Sequence, residues 1–330
     1  MVQVMAQAAT QTPTPAEHDP LADLVDVTKA IGDRLRAQIL RALCAESYSV
    51  SELCHIFDTP QPALSHHLKV LHQANLVAKR REGNSIYYRR SAEPNDQLRG
   101  GLFDAIDHTE LPSALNHRAA QVHADRHRRS AAFFAENAHR FADQQALIST
   151  ADVYAKGIGE VFSHFPVHHG TLLEIGPGTG EVLEHLAAQF PELIGIDSSA
   201  TMLEQASQRT LGLPNVALKQ RDFFALPAQR KYKAVVAAMV LHHMPSPQRF
   251  FYQAQRVIKA DGLLVVAELC RHDNDWVTEA CGDTWLGFEA SELESWAAKA
   301  GFVAVESQFL GQKNGFQIQI HGFHAASTLT

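Results

Sequence analysis

The chain has 330 residues, 45% of them hydrophobic and 20% charged, which is the composition of a globular protein with room for two compact domains and a connector. A formal net charge of −7 gives by itself no support for nucleic-acid binding, and the longest uninterrupted apolar run, AVVAAMVL, is too short for a membrane-spanning helix. The four cysteines form no C-x-x-C pair, so we expect reduced thiols in a cytoplasmic protein without a membrane partner.

The first segment has the composition of a tail. Residues 1–19 are rich in Ala, Gln, Thr and Pro, which predicts disorder because such a segment cannot bury enough apolar surface to fold. No Lys or Arg precedes Lys29, which argues against a secretory or mitochondrial presequence.

Residues 20–95 have the pattern of a DNA-binding module. Apolar residues at helical spacing predict a helical segment interrupted at Gly32, and Ser51 is expected to cap a short helix. The turn DTPQ then precedes the amphipathic segment PALSHHLKVLHQANL, whose leucines are expected to face inward. LVAKRREGNSIYYRRS alternates around Gly83-Asn84, which is a hairpin signal. The predicted order is therefore a helix, a turn, a second helix and a basic hairpin, which is the order of elements in a winged helix-turn-helix.

The charge of this module is one-sided. Between Pro60 and Arg90 six basic residues stand against the single acid Glu82, so this window carries +5 and the rest of the chain −12. This charge favours contact with the phosphates of double-stranded operator DNA, although a helical hairpin that serves a protein partner is the alternative. The residues predicted to contact DNA lie on the second helix and on the wing: Gln61, Ser65, His66, Lys69, Arg80, Arg81, Arg89 and Arg90.

The segments KAIGDRLRAQILRAL, SVSELCHIF, PQPALSHHLKVLHQANLV and RREGNSIYYR occur in this order, and the module resembles the arsenic-repressor (ArsR/SmtB) family. The resemblance implies a homodimer that binds a palindromic operator and responds to an inducer. Arsenic-sensing members carry Cys-x-Cys in the ELC helix, whereas here Cys54 is followed by His55 and Ile56. Because a soft-metal site needs more ligands than these, we expect no metal site, and a metal- or arsenic-responsive repressor is the weakest alternative.

Residues 96–150 contain few helix breakers and predict a helical connector. His123 and His127 are four residues apart on this helix, but they have no evident third ligand and are expected to face solvent. Three aromatic residues are expected to dock the connector onto the next domain: Phe133, Phe134 and Phe141.

Residues 151–330 alternate apolar runs with helical patterns. TLLEIG, LIGIDS, VALKQRD, AVVAAMVL and LLVVAEL predict five strands of a Rossmann-like, doubly wound parallel sheet, and therefore an α/β fold. VAVESQFL and GFQIQIHGF, joined at GQKNG, predict an antiparallel hairpin at the edge of that sheet.

The loop EIGPGTGEV follows the first of these strands. A dinucleotide-binding fingerprint would need glycine at position 181, where Glu181 stands. Glu174 and Glu181 put negative charge where a pyrophosphate would lie, so a ligand with a cationic amino-acid portion and no phosphate fits better. S-adenosylmethionine is such a ligand.

Two later acids fit the same cofactor. Asp197, at the end of the second strand, can bind both ribose hydroxyls, and Asp222, at the end of the third, can bind the adenine amino group beside Phe223. This half resembles class I S-adenosylmethionine-dependent methyltransferases, in particular the ubiquinone/menaquinone-type branch, which VLHHMPSP also matches. The resemblance implies this cofactor site: Glu174, Gly176, Gly178, Gly180, Asp197, Ser198, Met202, Asp222, Phe223, Met239 and Val240.

The stretch ELCRHDNDWVTEACGDTWLGF resembles one in regulators of the same fused type. His272 beside Asp273 is the predicted catalytic pair, although methyl transfer needs positioning more than a base. The predicted acceptor pocket consists of three residues: Trp276, Asp283 and Trp285. The alternative is that this segment caps a helix and fills the core, and His242 and His243 are expected to be structural.

The combined prediction is a DNA-binding transcriptional regulator whose C-terminal domain uses S-adenosylmethionine to methylate a small molecule. The alternative is a catalytically silent sensor, whose DNA binding is controlled by S-adenosylmethionine or S-adenosylhomocysteine. Methylation of DNA is disfavoured, because VLHHMPSP stands where an NPPY-type motif would be.

Overall fold

The computed structural model describes residues 19–91 and 96–326, without the side chains of residues 138, 139 and 141–143. The predicted tail, except Asp19, and the side chain of Phe141 therefore lie outside the described part of the chain. Among the described residues, no helix is both long enough and apolar enough to cross a bilayer.

The N-terminal unit is a winged helix-turn-helix, as predicted. Its elements are α1 Pro20–Ile31, α2 Arg34–Ala42, β1 Tyr48–Ser49, α3 Val50–Phe57, α4 Gln61–Gln73, β2 Val77–Glu82 and β3 Ser85–Arg90. The strands form an antiparallel sheet of order β1-β3-β2, and the pair Glu82–Ser85 closes the hairpin around Gly83-Asn84. The cap of α3 is Ser49 and not Ser51: the Ser49 hydroxyl accepts from the Glu52 amide, and the Glu52 carboxylate accepts from the Ser49 amide.

Helix α4 shows the predicted division into two faces. Leu64, Leu68 and Leu71 are fully buried in the core of this unit, and the exposed side includes Gln61, Ser65, His66 and Lys69. The apolar stripe thus packs the helix against α2 and α3, and the polar face stays available to a ligand in solution.

Two helices connect the units, α5 Gln97–Asp107 and α6 Ser113–Ala146. The C-terminal unit then contains α7 Ala151–Ser163, β4 Thr171–Ile175, α8 Glu181–Leu186, β5 Glu192–Asp197, α9 Ala200–Arg209, β6 Val216–Gln220, β7 Tyr232–Ala238, α10 Pro247–Val257, β8 Ile258–Leu269, α11 Trp276–Ala280, α12 Ala290–Lys299, β9 Phe302–Gly311 and β10 Gln317–Ala325.

These strands form one seven-stranded sheet of order β6-β5-β4-β7-β8-β10-β9. The first five are parallel, and β10 pairs antiparallel with both β8 and β9, so the doubly wound sheet with an edge hairpin is confirmed. Helices cover both faces: Phe162 of α7 and Leu183 of α8 belong to one buried cluster, and Phe250 of α10 and Trp296 of α12 to the other. The carboxyl ends of β4, β5 and β7 meet at one edge, where such sheets bind ligands.

Candidate functional site

The glycine loop after β4 is shaped by close contacts. Gly176 has φ +65°, and a Cβ at this position would lie 2.6 Å from Cγ2 of Val240. Gly180 has φ +89° and caps α8, where a Cβ would lie 3.1 Å from the carbonyl oxygen of Ala206. Both positions therefore require glycine, for the backbone angle and for the space.

The loop opens into a pocket at the predicted edge of the sheet. Ten of the eleven residues predicted to bind the cofactor line it, and Gly180 alone does not, because it packs against α9. The ten are Glu174, Gly176, Gly178, Asp197, Ser198, Met202, Asp222, Phe223, Met239 and Val240. The residues come from four separate segments of the chain, which follow or end β4, β5, β6 and β7, and the fold brings them together.

Glu174 supplies the pocket with a deeply buried carboxylate. The residue is 1% exposed, and its Oε2 has no hydrogen-bond partner among the described residues. Burial, and then the charge of Glu181, raise the pKa of Glu174 to about 8. An unpaired buried acid of this kind favours a cationic ligand, so the ammonium group of S-adenosylmethionine fits the site.

Asp197 and Asp222 present carboxylates at neighbouring strand ends. Oδ1 of Asp197 accepts from the Ser199 amide at 2.8 Å, and burial raises the pKa of Asp197 to about 6. Oδ1 of Asp222 accepts from the Phe224 amide at 2.9 Å and caps a 3-10 turn. Asp222 therefore both caps a turn and lines the pocket. Its carboxylate accepts one backbone hydrogen bond and has further acceptor sites for a ligand.

Met239, after β7, has an unusual backbone. Its φ of +53° is rare for a residue other than glycine, and its amide is held by the carbonyl of Ala267 at 2.8 Å. Strained backbone of this kind is concentrated at binding sites, where the surrounding structure enforces it. Here it turns the chain so that Met239 and Val240 both line the pocket.

One wall of the pocket comes from α6, which lies in the predicted connector. His127, Ser130, Ala131 and Phe134 line it, and the Phe134 ring packs edge-on against His243 with centroids 4.9 Å apart. His127 was expected on a solvated face; it is exposed, yet it lines the pocket. These residues recur every three to four positions, so the sequence shows that they share one helix face, but it does not show that this face lines the pocket.

The five residues predicted at the acceptor side lie elsewhere: His272, Asp273, Trp276, Asp283 and Trp285 do not line this pocket. The reason is the path of the chain after β8. The His272 amide bonds to the carbonyl of Leu286, and the Arg271 amide bonds to that of Phe288, so the segment folds back on itself. The acceptor pocket predicted there has no support from the geometry.

The side chains of these residues are either packed in the protein interior or exposed to solvent. The His272 ring packs edge-on against Phe316 at 4.9 Å, and burial lowers its pKa to about 4. Trp276 is 42% exposed, and Asp273 is exposed as well. The Trp285 indole donates to the carbonyl of Met244 at 2.8 Å and is buried. The alternative interpretation, in which the tryptophans belong to the core, describes Trp285 but not Trp276.

The wing contacts the C-terminal unit. Arg80 bonds to Glu292 at 3.1 Å and also to Glu82, and Arg89 pairs with the same Glu292. The carboxylate of Glu82 accepts from the Leu286 amide at 2.8 Å. In this arrangement Arg80 and Arg89 face the neighbouring domain, so a phosphate contact by either would require these ion pairs to break.

The other two wing arginines differ from each other. Arg90 is buried, bonds to both carboxylate oxygens of Asp107 at 2.9 and 2.6 Å and donates to the carbonyl of Leu40. Arg81 is exposed. Of the four wing arginines predicted to contact DNA, only Arg81 is exposed. The four residues predicted to contact DNA from α4 are all exposed.

Arg126 of α6 connects the two units. It is 5% exposed, donates to both carboxylate oxygens of Glu52 at 2.7 and 2.6 Å, and reaches the carbonyls of Ser47 and Pro245. Pro245 lines the pocket, as does His127, the next residue on α6. Adjacent positions of one helix thus contact the helix-turn-helix and the pocket.

Comparison with known proteins gives two family matches. The family model described as "Methyltransferase domain" matches residues 126–307, and the model described as "Bacterial regulatory protein, arsR family" matches residues 33–79. The first match covers more than half of the chain and includes the whole pocket. The second contains α3 and α4.

Curated relatives fall into the same two groups. The HTH-type transcriptional regulator KmtR of Mycobacterium tuberculosis is 34% identical over 111 residues, which are 33% of this chain and 83% of that protein. The 2-methyl-6-phytyl-1,4-hydroquinone methyltransferase 1 of Oryza sativa subsp. japonica is 28% identical over 170 residues, 49% of this chain and 50% of that enzyme. The chain thus spans about half the length of this methyltransferase.

Solved structures also match the C-terminal unit. The N-methyltransferase NodS from Bradyrhizobium japonicum WM9, in complex with S-adenosyl-L-homocysteine, is 17% identical with a TM-score of 0.43, over 56% of this chain and 97% of that one.

Proposed function

Since the chain belongs to the methyltransferase-domain family and carries an ArsR-family helix-turn-helix, we propose that it is a cytoplasmic transcriptional regulator that uses S-adenosylmethionine to methylate a small molecule. The observation that carries the proposal is the pocket, where ten residues predicted from sequence meet around a buried, unpaired Glu174. Isothermal titration with S-adenosylmethionine and S-adenosylhomocysteine tests it. Absence of binding at millimolar ligand would overturn it.

Each part of the cofactor has residues suited to it. Glu174 would pair with the ammonium group, Asp197 with the ribose hydroxyls, and Asp222 and Phe223 with the adenine. Bound S-adenosylmethionine would supply a methyl group already activated by positive sulfur. The protein's contribution is then to orient the acceptor and to exclude water.

The part of the pocket wall formed by α6 and by the segment after β7 indicates which kind of acceptor fits. Ala131 and Phe134 of α6 face the pocket together with Met244 and Pro245. These four apolar side chains lie beside His127, Ser130 and His243, and the mixture favours a small acceptor with an apolar body over a nucleic acid.

The buried Glu174 makes cofactor binding depend on pH. With its pKa near 8, the carboxyl is mostly protonated at neutral pH, and a cationic ligand favours the ionised form. Binding should therefore release a proton, and the affinity for S-adenosylmethionine should rise by as much as about fivefold from about pH 7 to about pH 8. Titration calorimetry in two buffers of different protonation enthalpy measures both effects.

Glu174→Gln is the matched variant for this prediction. It keeps the shape of the side chain and removes its ionisation, and the ligand's own titration is the same for both proteins. The pH dependence should be smaller in the variant than in the wild type. Equal slopes in the two proteins would mean that Glu174 does not face the ammonium group.

For the N-terminal unit we propose a homodimer that binds a palindromic operator. The exposed polar face of α4 supports DNA reading, and apolar side chains of α1 that are exposed in the single chain support dimerisation. These apolar side chains are Leu21, Leu24 and Val25, exposed by 68%, 41% and 38%.

Lys69 tests the placement of DNA. Lys69→Ala should weaken binding to all DNA sequences and should reduce the slope of log K against log salt by about one, because one phosphate contact is lost. Lys259→Ala, an exposed lysine of the C-terminal unit, is the control and should leave the slope unchanged. Fluorescence anisotropy at several salt concentrations gives both slopes, and an unchanged slope for Lys69→Ala would place the phosphate elsewhere.

The second candidate function is a sensor, and a specific observation favours it. Arg126 contacts the helix-turn-helix while His127 lines the pocket, so α6 can report pocket occupancy to the DNA-binding unit. Anisotropy with the chain's own upstream DNA, without ligand and with each form of the cofactor, separates the two functions. A tenfold difference between the two ligands, about 1.4 kcal/mol of coupling, favours the sensor, and no difference favours the enzyme.

A further inference from the structure

A cluster of ionisable side chains lies behind the pocket wall. His242 and His243 follow β7, and Asp283 comes from the segment after α11. The three are 2%, 7% and 1% exposed, and each offers one nitrogen or oxygen atom within 4.8 Å of the others. His243 also lines the pocket, so the cluster borders the space proposed for the cofactor and acceptor.

The carboxylate of Asp283 is the unusual member. Neither oxygen has a hydrogen-bond partner among the described residues, although the side chain is almost fully buried. Oδ1 of Asp283 lies 3.8 Å from Nε2 of His242 and 3.7 Å from Nδ1 of His243, both beyond hydrogen-bond distance, and that Nδ1 is also 3.4 Å from the carbonyl oxygen of Gly282. A buried carboxylate left in this way is costly unless another group completes its surroundings.

The arrangement around His242 resembles the way proteins hold metal ligands. Its Nδ1 is 2.7 Å from Oε2 of Glu268, a residue with no exposed surface. A carboxylate on one ring nitrogen fixes the tautomer and directs the other nitrogen, Nε2, towards a metal. Nε2 is the nitrogen that faces Asp283.

The distances between the atoms match a metal of small radius. Ligands at about 2.0–2.2 Å from a tetrahedral Zn²⁺ lie roughly 3.4 Å from one another. The two separations from Asp283, 3.7 and 3.8 Å, exceed this value by a few tenths of an ångström. The imidazole nitrogens and the carboxylate are also the ligand types that zinc prefers.

We propose that His242, His243 and Asp283 form a binding site for a divalent transition metal, with Zn²⁺ as the ion of best fit. The metal would complete the coordination of Asp283 and offset the charges of two buried carboxylates, Asp283 and Glu268. The site is separate from Cys54 and His55, the two possible metal ligands of the helix-turn-helix.

Metal retention by the full-length chain tests the site. The protein is stripped with a chelator, exposed to one of two probe ions, Zn²⁺ or Co²⁺, and separated from free metal by gel filtration. We expect about one metal per chain by mass spectrometric analysis, and a visible absorption spectrum of Co²⁺ in a site of low coordination number. Asp283→Asn and His243→Gln should each lower the affinity on the order of 100-fold, since ligand loss exceeds the 10- to 100-fold effect of outer-shell changes.

His321→Gln is the matched control. His321 is 1% exposed and belongs to the same domain, and its Nδ1 has no hydrogen-bond partner among the described residues, but it lies on β10 and outside the cluster. The His321→Gln variant should retain the metal. Circular dichroism and S-adenosylhomocysteine binding check that the variants are folded, and the Co²⁺ spectrum of the wild type does not depend on any variant.

Two results would overturn the proposal. One is a wild-type protein that retains no metal after exposure to micromolar Zn²⁺. The other is undiminished retention in folded Asp283→Asn and His243→Gln proteins, which would place the ion at different residues. Cofactor binding is measured separately, so a failure of the metal site leaves the proposed methyltransferase function standing.

Discussion

Replacement of Asp197 by asparagine is expected to weaken the binding of S-adenosylhomocysteine on the order of 100-fold or more. In the proposed complex the carboxylate would accept from both ribose hydroxyls, and hydrogen bonds to a charged group are worth about 1.5–3 kcal/mol each. Asparagine has the same shape, and its carbonyl oxygen still accepts from the Ser199 amide, so the turn after β5 is preserved. One acceptor becomes an amide donor that faces a hydroxyl. Isothermal titration calorimetry gives the affinities.

Asp275→Asn is the control for this prediction. Asp275 is an exposed aspartate before α11, and its side chain forms no capping hydrogen bond. The same chemical change at that position should leave the affinity within the error of the measurement. If Asp197→Asn bound S-adenosylhomocysteine as tightly as the wild type, the ribose would have to lie away from β5, and the orientation of the cofactor would have to be redrawn.

The cofactor side of the pocket could be predicted from the sequence because each of its elements is local. The glycine loop follows the buried strand β4, Asp197 ends the buried strand β5 and Asp222 follows the edge strand β6, and parallel strands bring their carboxyl ends to a common edge. The periodicity of the apolar runs was sufficient to place the strands, so the residues after them were placed as well. Gly180 was the exception, because packing against α9 and not the pocket requires glycine there.

The opposite wall and the domain contacts could not be predicted in this way. The wall comes from α6, and its inclusion depends on how a long helix lies across the sheet, which no local pattern encodes. Arg80, Arg81, Arg89 and Arg90 look alike in the sequence, yet three of them pair with acids and one is exposed. The partner Glu292 is more than two hundred residues away, so one-sided local charge was a poor guide to which arginines are free.

The docking of the wing has a consequence for regulation. Glu82 and Arg80 bind the segment that includes Leu286, and the next residue towards the N-terminus, Trp285, packs on Tyr87 with ring centroids 4.8 Å apart. The Trp285 indole in turn holds the carbonyl of Met244, which lines the pocket. Two direct contacts therefore connect this pocket wall to the wing without involving α6. Such a connection is a physical route for coupling, and the ligand-dependent anisotropy experiment measures its size.

The largest expected effect on stability comes from Arg126→Ala. Its ion pair with Glu52 is buried, with side chains 4% and 13% exposed, and the guanidinium also packs on the rings of Tyr48 and Tyr87. Removing one partner leaves the Glu52 carboxylate in the interior with a single backbone bond, which costs about 3–5 kcal/mol. Urea unfolding followed by circular dichroism should show this loss in the transition of the N-terminal unit.

Arg128→Ala, two residues along the same helix, separates this effect from the loss of an arginine as such. Its ion pair with Asp125 is exposed, with side chains 75% and 51% accessible, and should contribute less than about 0.5 kcal/mol. Equal losses in the two variants would mean that the Arg126 contacts do not hold the units together. If Arg126→Ala remains folded at low temperature, it should also reduce the effect of S-adenosylhomocysteine on DNA affinity, because the carbonyl of Pro245 at the pocket and Glu52 of α3 are joined through this one side chain.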